Sequence, residues 1–173
     1  MQEAIKAIRE AGIVTSAIRQ TYFKGQGFGY IRNWLEKNGL DRHLEIELRS
    51  TEIALVTPFG IMMQIRPTDH DQLGLWGGVL KDTETPEEGA IREIREETGL
   101  EIPAEALVFM EENDHSHQYA NGDKAIFHSY RFKVELDYVP QIKTDEESTG
   151  VFMLVHTVLD HQQDFVKRIL GEK

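Results

Sequence analysis

The feature that most constrains this chain is a helix whose two ends can be read from residues 85–99, TPEEGAIREIREETG. Thr85 suits an N-cap, Pro86 suits the first helical position, and Glu88 can close a capping box. Gly99 supplies the left-handed stop. At about 100° per residue, Ala90, Ile91, Ile94 and Thr98 share the side that should face a core. Glu93, Glu96 and Glu97 fall together on a neighbouring side, with Arg92 beside Glu96. Like charges one turn apart repel by roughly 0.2–0.5 kcal/mol per pair. A stripe of three carboxylates therefore calls for a compensating cation, and hard oxygen donors suit Mg²⁺. Taken alone, the same helix could also be a solvated acidic face.

The spacing of the wider stretch separates these readings. Gly78 is followed after five residues by Glu84, and seven residues later by Arg92-Glu93-Ile94. One residue on come Glu96-Glu97, and after one more Gly99-Leu100. This pattern resembles the Nudix box at every defined position. Seven fixed identities at fixed spacing coincide by chance at roughly one in 10⁸ per start site.

Composition narrows the partners. A chain of 173 residues with 40% hydrophobic and 28% charged content is expected to form one soluble, well-buried domain. A formal charge of −11 excludes non-specific binding to nucleic acid or to an anionic membrane surface. An anionic small molecule is still compatible, provided a cation mediates. The chain has no cysteine, so disulfides and thiolate metal sites are excluded. No apolar run follows Met1 and none reaches membrane-spanning length, so a cytoplasmic protein is expected.

Along the chain, residues 1–12 place Ala4, Ile5, Ile8 and Ala11 at helical spacing and stop at Gly12. The glycine-rich YFKGQGFG at 22–29 reads as a linker, since no GK(S/T) follows it. A second helix is expected over 28–38, with Ile31, Trp34 and Leu35 on its core side. From His43 the period becomes two, predicting a strand to Arg49; Ile53–Thr57 and Ile61–Arg66 predict two more around the turn Pro58-Phe59-Gly60. The paired Gly77-Gly78 should let the backbone approach another group closely. Leu107–Glu112 and Ala125–Leu136 read as strands, with a hairpin signal at Asn121-Gly122 between them. His115 and His117 read as polar loop surface rather than metal ligands. A further strand is expected over Val151–Val155, and a closing helix over Asp160–Leu170.

The resemblance implies an α/β/α sandwich around a mixed β-sheet at 28–173, carrying an N-terminal helical extension at 1–27. It implies hydrolysis of a nucleoside diphosphate linked to another moiety, with Mg²⁺ as cofactor and Mn²⁺ as the alternative ion. It implies Glu93, Glu96 and Glu97 as metal ligands, the Gly77 carbonyl as an additional one, and Arg92 as the group orienting the glutamates, with Glu84 acting similarly or through water. The general base is either Glu93 or a carboxylate of the late Asp145-Glu146-Glu147 loop, where Glu147 is favoured. Many relatives carry proline where this chain has Trp76, which becomes a candidate base-stacking surface or else a core residue. Tyr119 is the second candidate substrate contact. The partner is then a small nucleotide-type molecule, and a homodimer suits the amphipathic N-terminal helix. The rival class is a Nudix-fold binding module without turnover; such modules commonly lose box acids, whereas this chain keeps them.

Overall fold

The computed structural model describes residues 2–66, 72–142, 151–152 and 160–171. Three short helices lead the chain: α1 (Gln2–Ala11), α2 (Ser16–Tyr22) and α3 (Phe28–Lys37). The first and third follow from hydrophobic periodicity, but α2 was not expected. Seven residues hold too few turns to display a period, and a helix so short depends on its caps and its packing. Thr15 accepts a hydrogen bond from the Ile18 N–H at its start.

The two strands expected at 43–49 and 53–57 are one, β1 (Glu45–Thr57). It pairs in parallel with β5 (Lys124–Glu135), from Glu45 opposite Lys124 to Val56 opposite Glu135. The polar step Ser50-Thr51-Glu52 does not interrupt β1, because two of its buried groups find partners on β5. The Ser50 and Ser129 hydroxyls lie 2.7 Å apart, and Arg131 Nε donates to Glu52 over 2.7 Å. Buried polar groups are tolerated where such partners exist.

The sheet is completed by β2 (Gly60–Arg66), β3 (Gln72–Gly74), β4 (Leu107–Gln118) and β6 (Val151–Phe152). Its order is β3-β2-β1-β5-β4, with β6 on β2. Strand β4 runs well past Glu112, where the expected strand ended. It is the outer strand of this order, and a polar sequence is what an edge strand tolerates. Of the strand expected at 151–155, the first two residues form β6 and the rest lie outside the described residues.

Alternation along β1 sends successive side chains to opposite layers. Ile53 and Leu55 pack with Trp76, Phe132 and with Ala90 and Ile94 of α4 (Pro86–Thr98). On the other face, Ile46 and Leu48 meet Ile8, Val14, Phe23, Ile31 and Leu35. Further along that face, Ala54 meets Phe165 and Val166 of α5 (Gln163–Leu170). The result is the expected α/β/α sandwich on a mixed sheet. Ile8, Val14 and Phe23, all before residue 28, share one buried cluster with β1 and α3. The N-terminal segment is therefore docked on this chain's own sheet. No helix among the described residues is long and apolar enough to cross a membrane.

Candidate active site

Helix α4 forms as its end signals dictate. The Thr85 hydroxyl accepts from the Glu88 N–H at 3.2 Å, and the Glu88 carboxylate accepts from the Thr85 N–H at 2.9 Å. Gly99 closes the helix at φ 75°. Gly89, Ala90, Ile94 and Thr98 are buried, while Ile91 is only partly so. Nothing in the sequence marks Gly89, yet a Cβ there would lie 2.1 Å from Leu80 Cδ2. The helix thus packs on the loop that precedes it because position 89 carries no side chain.

That loop runs beside β1. Ile53 N–H donates to the Trp76 carbonyl, Thr51 N–H to the Gly78 carbonyl and Leu80 N–H to the Arg49 carbonyl. The paired glycines make the close approaches expected of them. A Cβ on Gly77, whose φ is 137°, would fall 2.0 Å from the Thr51 carbonyl oxygen. One on Gly78 would fall 2.6 Å from Glu93 Oε1. Loop backbone and glutamate side chains are thereby pressed together.

Arg92 organises the carboxylates. Its Nε and Nη2 donate to the two oxygens of Glu84 at 2.6 and 2.9 Å. Its Nη1 donates to Glu93 Oε1 at 2.6 Å and to Glu96 Oε2 at 2.9 Å. Nη2 also reaches the Val79 carbonyl at 3.3 Å, which ties the helix to the loop. Glu97 is held separately, accepting from the Gly77 N–H at 2.9 Å. Hydrogen bonding from Arg92 holds the Glu84 carboxyl down at about 2, against the opposing effect of burial. Burial pushes the Glu93 carboxyl up, and Arg92 opposes it.

The donor set fits a hard divalent cation: three carboxylates, two of them pre-oriented by one guanidinium, beside glycine backbone. Among the described residues Thr51 Oγ1 is a buried oxygen with no hydrogen-bond partner, on the face of β1 that α4 covers. Glu93, Glu96, Glu97, Arg92 and Gly77 are thus brought to one loop–helix junction.

The other candidates are placed differently. Trp76 is fully buried against Ile53 and Ile94, and its Nε1 donates to the Met62 carbonyl at 2.8 Å. It is core and has no exposed ring face to offer a base. Tyr119 stacks on Phe28 at 4.4 Å, in the layer of α1–α3, on the sheet face opposite α4. That position separates it from the glutamates. Glu146 and Glu147 lie outside the described residues.

His115 is on β4 rather than in a loop. It is stacked between Phe127 at 5.0 Å and His161 at 3.9 Å. His117 meets Tyr119 edge-on and is exposed. Glu52, His115 and His161 bring donor atoms within 4.8 Å of one another, and among the described residues the box glutamates are not gathered so tightly. The three nonetheless make a poor metal site. Glu52 already accepts from Arg131, His161 and Gln162, and the nearly parallel imidazoles, 8° apart, aim their in-plane lone pairs side by side instead of at one point. The group lies on the sheet face away from α4 and anchors the start of α5.

A family model described as the NUDIX domain matches residues 48–170. Among solved structures, a MutT Nudix hydrolase from Burkholderia pseudomallei is similar at TM-score 0.58 and 18% identity, over 71% of this chain and 98% of that one. The dihydroneopterin triphosphate pyrophosphohydrolase of E. coli is similar at TM-score 0.51 and 21% identity, over 61% and 79%. A bifunctional NMN adenylyltransferase/ADP-ribose pyrophosphatase from Francisella tularensis, complexed with AMP and a manganese ion, is similar at TM-score 0.57 and 19% identity, over 83% and 46%. At these identities the likeness is one of fold.

Proposed function

The chain belongs to the Nudix family, hydrolases of phosphorus-containing anhydrides, and on that premise we propose that it cleaves the diphosphate linkage of a nucleotide or nucleotide derivative with the help of a divalent cation. The observation that carries this reading is the hold of Arg92 on Glu84, Glu93 and Glu96 beside Gly78. Such a cluster in a chain of charge −11 repels a diphosphate unless a cation intervenes. Glu93, Glu96 and Glu97, with the Gly77 carbonyl, would hold Mg²⁺ or Mn²⁺; the manganese in the Francisella structure supports this choice. When bound, the cation supplies positive charge to offset the phosphate oxygens and to acidify water.

The chain's own groups do the rest. Arg92 fixes the carboxylates so that they need not reorganise when substrate arrives. A carboxylate accepts the proton of the attacking water, and the chain offers Glu147 for this task, with Glu93 the alternative. Glu147→Gln lowering kcat by about 10²–10⁴-fold, with metal affinity kept, would assign the base to Glu147. Loss of metal affinity only in Glu93→Gln would be consistent with that division of roles. The neighbours named for ADP-ribose and dihydroneopterin triphosphate support a small nucleotide-type substrate, and a cytoplasmic protein suits it. A homodimer is supported by Val108, Phe109 and Met110, exposed on the edge strand β4; light scattering reads it directly.

The test is hydrolysis of nucleoside triphosphates, ADP-ribose, NADH, nucleotide sugars and dinucleoside polyphosphates, each with Mg²⁺ and with chelator. Turnover of at least one substrate that chelator abolishes is expected. No turnover of any, or turnover indifferent to chelator, contradicts the proposal.

A further inference from the structure

Residues 1–47 lie outside the stretch that the family model matches, yet part of this segment borders the loop that leads into α4. A Cβ on Gly25 would come 3.3 Å from the Asp82 N–H nitrogen, and one on Gly27 would touch Val79 Cγ2 at 4.0 Å. Arg19, buried on α2, donates twice to the Gln26 carbonyl, at 3.3 and 3.1 Å, and so folds the Gly25–Gly27 turn against that loop. Between α2, β1 and the loop opens a cleft of about 400 Å³. Ser16 and Gln20 of α2 line one wall, Leu80 and Lys81 another, and Arg49 and His128 are also on its lining. Leu80, on the lining, is two residues from Gly78, where a Cβ would meet the Glu93 carboxylate.

The lining tells what would fit. His128 is committed to Asp114 at 2.9 Å and stands 4.0 Å from the Glu47 carboxylate. Arg49 is exposed, lies over the Tyr130 ring at 5.6 Å, and has no carboxylate partner among the described residues. In a chain with 30 acidic side chains to 19 Lys and Arg, a guanidinium without an ion-pair partner among the described residues is conspicuous, the more so with Glu47 and Asp82 on the same cleft. Its planar fork matches phosphate oxygens two at a time. The remaining lining mixes the carboxylates of Glu47 and Asp82 with the cationic Arg19 and Lys81, two uncharged hydrogen-bonding side chains and two leucines, with no Phe, Tyr or Trp to stack a base.

We propose that this cleft receives the phosphate-bearing half of the substrate remote from the nucleoside, with Arg49 as its anion contact and α2 as the wall that sets its size. The inference rests on the hydrolase reading above and assigns the N-terminal segment a part in substrate choice. The remote half could be terminal phosphates or a sugar phosphate; a nucleoside triphosphate and ADP-ribose test the two separately.

The experiment compares wild type with Arg49→Ala, Arg49→Lys and Gln20→Trp, reading kcat, KM and thermal midpoint. Arg49→Ala should raise KM about tenfold or more on whichever of the two substrates is cleaved, with kcat within about twofold, and Arg49→Lys should recover part of the loss. Gln20→Trp should raise KM more for ADP-ribose than for the triphosphate, because it narrows the cleft without removing charge. Unchanged KM in Arg49→Ala and Gln20→Trp, with an unchanged midpoint, overturns the proposal while leaving the hydrolase intact. If wild type cleaves neither substrate, titration with methylene-bridged ADP decides. Binding weakened by Arg49→Ala then supports the cleft although the hydrolase reading has failed, and absent or unaltered binding overturns it.

Discussion

At the scale of single residues, the site depends on one guanidinium and on two positions that lack a side chain. Arg92→Lys keeps the charge but not the fork that meets Glu84, Glu93 and Glu96 together. We expect kcat to fall by about 10–100-fold and the Mg²⁺ concentration for half-maximal activity to rise, which a merely structural role would not produce. Gly78→Ala would press on Glu93 Oε1, so activity should fall with little change in thermal midpoint. Gly89→Ala should do the reverse of what alanine does in an exposed helix. There it would stabilise by about 0.5–1 kcal/mol, but here its methyl would meet the buried Leu80 and lower the midpoint. The role of Gly78 follows from its place in the box. That of Gly89 could not be foreseen, because the atom it makes room for belongs to a loop whose path only the fold defines.

At the scale of elements, α4 was legible because its signals are local. Thr85, Pro86, Glu88 and Gly99 act within one turn of the helix ends, and all appear as expected. Thr85→Ala should cost about 1 kcal/mol, read as a shift in the denaturant midpoint. Strand β1 reads as two from sequence because Ser50 and Glu52 are polar, and their partners Ser129 and Arg131 are 79 residues away. Helix α2 was missed because seven residues give no period. His115 looks like a loop residue in the sequence for a related reason: what buries it, Phe127 and His161, comes from other elements. Burial holds its imidazole down at about 4, against an ordinary 6.5. The folded state thus takes up this proton only near pH 4 and the unfolded state near 6.5, so stability should fall on acidification between those values. Replacing the ring by His115→Phe should flatten that part of the stability–pH curve; an unchanged slope would contradict the assignment.

At the scale of the whole molecule, the sandwich has a division of labour between its faces. One face of the sheet carries α4 and the box carboxylates; the other carries α1–α3 and α5. The second face holds Glu52, which burial alone would push up but which hydrogen bonds from His161 and Gln162 and the charge of Arg131 bring down to about 2. Its contribution to stability is present above its ordinary 4.5 and is lost as pH falls towards 2. The layered fold is legible in strand order, and the box residues gather at one loop–helix junction as their spacing implies. Substrate contacts are not legible there: Trp76 and Tyr119, candidates by sequence position, fold into the core and into the opposite layer. The central claim remains that the box glutamates, held by Arg92, carry a cation for diphosphate hydrolysis. Its most direct test is Mg²⁺-dependent turnover by wild type and Glu97→Gln side by side at matched thermal stability. The account predicts that kcat falls by about 10²-fold or more in the variant, a barrier increase of about 3 kcal/mol. Equal turnover by the two proteins would contradict it.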